Sequence, residues 1–367
     1  MEDDTNLKKI THNEFIRIAE SLIQSANEQK IPPPSMALLG KPGIGKSDIV
    51  RLLAQRLNAE LRIYIPSRRN PNTTTGIPWI ENKENEQKFA KWIPFEEFNF
   101  PDNKKQYILF IDELPNAPPI VQSCLLGVIL DRQLEQFKIP DNVLIIAAGN
   151  LSTDSKASFD LIEPMPSRLA LFQLLPPSVE DWTIWAQKNH ISSYVISFLY
   201  QHRNLLCPSE TKGILYPTPR GWARAGKYIT DAMSEQTMTT IISAFVGEAA
   251  ATQYKTWIKI KNKLPDIEKA FYGEDPKWKE AIKIKEEGTD SIGVIIFVLT
   301  SLASSNLISN IKQSQKFIDT LPYEFQPIAF RLFRTNKAFE KLVQNEEYFN
   351  WLIDKINEWD MAIDEDK

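Results

Sequence analysis

Gly40-Lys41-Pro42-Gly43-Ile44-Gly45-Lys46-Ser47 fits the pattern GxxxxGK[ST], in which backbone N–H groups wrap the phosphates of a nucleotide. In this pattern the lysine, Lys46, reaches the β- and γ-phosphates, and the Ser47 hydroxyl holds Mg²⁺. Gly40, Gly43 and Gly45 crowd into this stretch although the whole chain has only 13 glycines. Glycine gathers where a backbone must turn tightly and touch a ligand, because it lacks the Cβ that would block the approach. The flanks fit the same reading. Met36-Ala37-Leu38-Leu39 is a short apolar run suited to a buried parallel strand. Downstream, Asp48 to Leu57 carries Ile49, Leu52, Leu53 and Leu57 on one helical face. Strand, glycine loop and helix follow in order, and the helix N-terminus around Asp48 turns its partial positive charge toward the phosphates. Residues Gly40 to Asp48 are therefore the candidate nucleotide-binding set.

The chain has 367 residues, enough for two or three domains. Its 43% hydrophobic and 25% charged content is that of a globular protein rather than a disordered one. A net charge of −4 offers no broad footprint for nucleic acid or an anionic membrane. Cys124 and Cys207 show no metal-ligand spacing, and His12, His190 and His202 are scattered, which argues against a zinc site. The acidic start Met1-Glu2-Asp3-Asp4-Thr5 lacks the layout of a secretory signal. The longest apolar run, Ile292 to Ala303, is too short to span a bilayer. The expectation is a cytoplasmic chain with no membrane partner.

Thr11 to Glu14 reads as a capping box opening a helix with Phe15, Ile18, Leu22 and Ala26 on one stripe. Glu60 to Ile65 alternates as a second strand. Residues 66–101 are polar and Pro-rich, with two short strand patterns, Gly76–Ile80 and Lys88–Ile93, around a charged turn. They read as a β-hairpin projecting from the core, or else as a long surface loop. Tyr107–Ile111 and Val143–Ala148 are buried strands, Leu171–Leu174 is a shorter one, and an amphipathic helix spans Pro118 to Leu130. Strands alternating with helices predict an α/β fold with a parallel sheet covered on both faces. From Pro176 onward helical patterns take over: Trp182, Trp185 and Ala186; Tyr194, Phe198 and Leu199; and, near the end, Phe349, Leu352, Ile353 and Ile356.

Asp112-Glu113 ends the strand Tyr107–Ile111, at the carboxyl edge where open parallel sheets bind ligands. An Asp there suits Mg²⁺, so Ser47 and Asp112 are the candidate metal residues. Glu113 is placed to polarise an attacking water. Asn150 follows the strand Val143–Ala148, and a neutral amide beside the γ-phosphate can orient that water. Arg168, just before the fifth strand, and Arg220, in Tyr216-Pro217-Thr218-Pro219-Arg220, are candidates for stabilising charge on the transferred phosphoryl group.

The run Asp112-Glu113-Leu114-Pro115-Asn116-Ala117-Pro118-Pro119, with Gln122, Leu125-Leu126 and Asp131-Arg132-Gln133 beyond it, resembles the MoxR family of AAA+ ATPases. The resemblance covers residues 35 to about 235. Asp181-Trp182, Trp185-Ala186, the segment around Arg220 and Gly247 to Ala250 are similar to a bacterial and phage branch often encoded beside a von Willebrand factor A-like protein. The resemblance implies an AAA+ P-loop core with a five-stranded sheet (residues 1–175), a hairpin insert in helix 2 (about 70–100), a helical lid (176–235) and a further helical region (236–367). It implies ATP and Mg²⁺ bound between subunits of a ring, usually hexameric. Asn150 then matches sensor 1, Arg220 the sensor-2 arginine, and Arg168 the arginine finger supplied by a neighbour. Arg132 to Pro140 matches a short hairpin before sensor 1. The chain departs from the family at Pro115-Asn116, where Asn-Arg is usual, and at Leu169, where Phe is common; Arg132 and Arg224 are alternative fingers.

Two functions follow. One is an ATP-hydrolysing remodeller of a protein client, by resemblance a von Willebrand A-like protein. The other is the NTPase motor of a nucleic-acid-processing or defence complex, for which Lys41, Arg68 and Arg69 offer some positive charge. The net charge favours the first.

Overall fold

The computed structural model describes residues 6–81, 89–101, 105–151, 159–209, 213–283, 289–337, 339 and 345–365. The chain divides into two compact units, Met1–Pro176 and Pro177–Lys367.

The first unit is built on a parallel sheet. Its strands are β1 (Lys8–Ile10), β2 (Met36–Leu39), β3 (Glu60–Tyr64), β6 (Tyr107–Ile111), β9 (Val143–Gly149) and β10 (Ala170–Leu174), in the order β1-β10-β2-β9-β6-β3. All five strands expected from the sequence are present, and β1 adds a sixth at the edge, pairing Lys8–Ile10 with Phe172–Leu174. Every residue of β2, β6 and β9 is buried, because helices cover both faces of such a sheet. Each Val, Leu or Ile so buried contributes roughly 1.5–3 kcal/mol.

Strand order explains where the ligand residues meet. The chain leaves β2 for β3 at the far edge, returns through β6 and β9, and then crosses to β10 on the other side of β2. The carboxyl end of β2 thus lies at the point where the order reverses, the place where open sheets bind ligands. Leu39 pairs with Gly149, and Ile111 with Ala147, so Gly40, Asn150 and Asp112 all emerge at the same sheet edge.

Helix α1 (His12–Gln29) opens with the expected capping box: Thr11 N–H donates to Glu14 Oε2 at 2.7 Å and Glu14 N–H to Thr11 Oγ1 at 3.2 Å. Its buried face is Phe15, Ile16, Ala19, Ile23 and Ala26, with Ile18 and Leu22 only half-buried, a rotation of the expected stripe. Helix α2 (Lys46–Arg56) buries Ile49, Val50, Leu53 and Ala54 and leaves Leu52 exposed. Of the expected face, Ile49 and Leu53 are buried and Leu57 is half-buried, while Val50 takes the place of Leu52. The helix expected over Pro118–Leu130 is broken at Leu125 into α3 (Pro119–Cys124) and α4 (Leu126–Leu130).

The hairpin expected within residues 66–101 is present as a separate two-stranded sheet. β4 (Ile77–Glu81) pairs antiparallel with β5 (Phe89–Ile93); the turn between them lies outside the described residues. Ahead of β4, the buried Tyr64 donates its hydroxyl to the Thr74 carbonyl at 2.8 Å, and burial pushes the pKa of its phenol up to about 12. Arg69 lies 4.1 Å from the Phe95 ring centroid and pairs with Glu97 at 2.9 Å. A second hairpin, β7 (Gln133–Leu134) with β8 (Phe137–Lys138), stands where the one before sensor 1 was expected. Gln136 Nε2 donates to the Trp92 carbonyl at 2.8 Å and fastens the two hairpins together.

Among its described residues the second unit's regular elements are all helices, and one apolar cluster runs from Val179 to Trp359, across the 235/236 boundary drawn from the sequence. The apolar run Ile292–Ala303 lies in the helix Thr289–Ala303, whose Val294, Ile295, Ile296, Val298, Leu299 and Leu302 are all buried in that cluster. No helix among the described residues is long and apolar enough to cross a membrane. Among the described side chains of the helix Glu346–Glu365, Tyr348, Leu352 and Trp359 are buried, whereas Phe349, Ile353 and Ile356 are exposed. Of the apolar face read from the sequence only Leu352 is therefore buried, and contacts with Phe339 and Phe330 bury Tyr348 and Trp359 beside it.

Candidate nucleotide-binding site

Lys46 opens helix α2 and is buried, at 9% exposure. A buried ammonium must have its protons accepted. Its Nζ donates to the carbonyls of Gly40 (2.6 Å) and Lys41 (2.8 Å) and to Asn150 Oδ1 (2.8 Å). An ammonium can only donate, so the amide oxygen of Asn150 faces Lys46 and the NH₂ remains as the donor end. Lysine and amide come from residues 104 apart, brought together because β2 and β9 are neighbours.

Ser47 Oγ donates to Asp112 Oδ2 at 2.9 Å. Hydroxyl and carboxylate oxygens are the hard donors that Mg²⁺ accepts. Among the described residues no cluster of three or more His, Cys, Asp and Glu could hold a metal, but Mg²⁺ beside phosphates takes only one or two carboxylates, with phosphate and water completing its shell. The Ser47–Asp112 pair fits that requirement.

Glu113 caps a short 3₁₀ turn, Leu114–Asn116, with φ 58°, a left-handed conformation uncommon for a side-chain-bearing residue. Its N–H donates to Asp112 Oδ1 at 2.9 Å, and its Oε2 accepts from Ser67 Oγ at 2.8 Å. The turn is seated on Gly149: a Cβ there would lie 2.0 Å from Pro115 Cδ. The glycine before Asn150 therefore lets the turn carrying Glu113 pack directly on the end of β9.

The structure thus gathers Lys46, Ser47, Asp112, Glu113 and Asn150 about the glycine loop. Asp48 is exposed in the first turn of α2, where its carboxylate pairs with Arg51 at 3.3 Å. Pro42 and Ile44 belong to the loop, with Ile44 buried. Arg168 ends a 3₁₀ turn, Pro166–Arg168, and its exposed guanidinium donates to the Pro164 carbonyl at 2.7 Å and to Ser167 Oγ at 3.2 Å; none of these partners belongs to the cluster. Arg220 is exposed in helix α7 of the second unit (Pro219–Gly226; α5 is Val179–Lys188 and α6 Ser193–Gln201). Of the alternative fingers, Arg132 is committed to the chain's own backbone, donating to the Pro140 carbonyl at 2.8 Å and to that of Val143, and burial lowers its pKa. Arg224 lies 5.2 Å from the Phe245 ring centroid.

Two residues at the site carry no sequence motif. Ser67 follows the carboxyl end of β3, and the rule that ligand residues collect at strand carboxyl ends would have singled it out. His12 Nε2 lies 2.9 Å from the Ile44 carbonyl, 32 residues away in the chain; no local signal marks it.

Residues 35–163 match the AAA domain of the dynein-related subfamily. With the sheet topology, this identifies the first unit as an AAA+ P-loop fold, six parallel strands with covering helices, followed by a helical C-terminal region. The match leaves the second unit outside it. No curated protein matches the chain. Among solved structures, a single-residue mutant of RuvB from Thermotoga maritima is 16% identical over 79% of this chain and 84% of its own, with a TM-score of 0.39. NtrX from Brucella abortus is 14% identical over 92% of this chain and 67% of its own, with a TM-score of 0.32.

Proposed function

We propose that the chain is an ATP-hydrolysing AAA+ protein of the MoxR type that assembles into a hexameric ring and remodels a protein client. The observation that carries this reading is the joint placement of Lys46 on Asn150 and of Ser47 on Asp112, with Glu113 one residue further on. On it, the glycine loop and Lys46 bind the phosphates, and Ser47 and Asp112 would hold Mg²⁺, which would supply charge neutralisation for the phosphates. Glu113 takes a proton from the attacking water, and Asn150 orients that water. Arg168 of a neighbouring subunit and Arg220 of the lid stabilise the equatorial oxygens.

The hairpin supports a protein client. Ile77, Trp79, Ile80 and Ile93 are each half or more exposed, and apolar residues clustered on one hairpin mark an interaction surface. Arg69, on which a nucleic-acid reading would draw, is already paired with Glu97 and stacked on Phe95. A von Willebrand A-like protein is the client we propose.

Affinity capture with Glu113→Gln in the presence of ATP tests the assignment. Recovery of a protein client, lost in Trp79→Ala, supports it. Recovery of nuclease-sensitive DNA or RNA would replace it with the nucleic-acid motor.

A further inference from the structure

The Ile44–Gly45 peptide sits in the middle of the glycine loop and is held from outside it. His12 Nε2 lies 2.9 Å from the Ile44 oxygen. A carbonyl only accepts, so Nε2 carries the proton in this contact. No cis peptide occurs among the described residues. In a planar trans peptide the C=O and the next N–H point to opposite sides. Turning the Ile44 carbonyl toward the imidazole therefore turns the Gly45 N–H away from it.

That peptide needs such a hold. Gly45 has φ 101°, a conformation glycine adopts and leaves with little cost. Inversion of the peptide would put a carbonyl where a phosphate-binding N–H belongs. The ring also packs on the loop: a Cβ at Gly45 would lie 3.2 Å from His12 Nε2. His12 itself is fixed twice. It is the first residue of α1, behind the Thr11–Glu14 capping box. It also follows β1, which pairs with β10 and whose Ile10 carbonyl accepts from Leu175 N–H at 2.9 Å. His12, the capping box, β1 and β10 all lie outside the 35–163 family match.

We infer that His12 is a positioning residue for phosphate binding: its Nε2–H pins the Ile44 carbonyl so that the Gly45 N–H is presented to the nucleotide. The inference rests on the proposed nucleotide site and adds to it a contact from the amino-terminal edge of the sheet.

Equilibrium titration with a fluorescent ADP, followed in parallel with thermal melts, tests it. His12→Phe keeps a ring without the donor and should weaken binding roughly tenfold, the worth of one hydrogen bond. His12→Gln, whose amide nitrogen extends about as far as Nε2, should recover most of that loss. If His12→Phe does not fold, His12→Asn, whose amide is too short to reach, takes its place with the same expected loss. Wild-type affinity in the donor-less variant, or equal weakening in the Phe and Gln variants, would overturn the inference. Lys46→Ala is the control that separates the two readings: a wild type binding no better than Lys46→Ala would overturn the nucleotide site itself.

Discussion

The Ser67 hydroxyl donates to the Glu113 carboxylate at 2.8 Å across 46 residues of sequence. Ser67 lies in the segment that leads from β3 into the β4–β5 hairpin, and Glu113 is the proposed general base. One carboxylate oxygen is thereby tied to the hairpin side of the site. Glu113 is exposed and sits on a left-handed turn, so this bond orients a side chain that little else restrains.

Removing the bond should cost turnover rather than affinity. Ser67→Ala is expected to lower kcat for ATP by roughly 3–10-fold, the worth of about one hydrogen bond, while nucleotide affinity is kept. Ser67→Thr, which retains the hydroxyl, should stay near wild type. A rise in kcat in Ser67→Ala would show that the bond restrains Glu113 from acting.

The proposed phosphate loop and general base separate binding from chemistry. Lys46→Ala should lose about 2–3 kcal/mol of nucleotide affinity, the worth of charge-assisted hydrogen bonds. Glu113→Gln should bind ATP normally and lose turnover by about 10²–10⁴-fold. Calorimetry with a phosphate-release assay reads both; normal turnover in Glu113→Gln would move the base elsewhere.

Gly149 offers a test of the packing. A methyl at this position meets Pro115 Cδ at 2.0 Å and Cγ at 2.5 Å. Gly149→Ala should cost about 1–3 kcal/mol of stability, as overpacking does, and should lower turnover because the turn carrying Glu113 must shift. A melt and an ATPase assay on one preparation check both. An unchanged pair of values would mean that the turn yields without cost.

Arg168 is exposed, and among the described residues its guanidinium bonds Pro164 and Ser167 beside it, which leaves it at the surface a neighbour would meet. Arg168→Ala should bind ATP yet lose turnover by about 10³-fold or more. Mixing it with Lys46→Ala subunits should restore hydrolysis where an intact Arg168 faces a competent pocket. Absence of rescue at any ratio would remove Arg168 from the trans role.

Much of the first unit was legible because its signals are local. The glycine loop is eight consecutive residues, β6 and β9 are unbroken apolar runs, and the capping box spans four positions. Each can be read without knowing what lies across the fold, since backbone geometry and burial on both faces of a strand leave their mark within a few residues. Tertiary structure alone decided the rest. Lys8-Lys9-Ile10 has no strand signal and becomes β1 only because β10 offers it a free edge. Apolar residues surround the helix Glu346–Glu365 widely enough that periodicity does not choose among faces; contact with Phe339 and Phe330 buries Tyr348 and Trp359 and leaves Phe349, Ile353 and Ile356 outside. Ser67, His12 and Gly149 join the site through partners tens of residues away. A hydrogen bond or a close approach of that kind depends on where the sheet order brings two segments, and no window of sequence contains both ends of it.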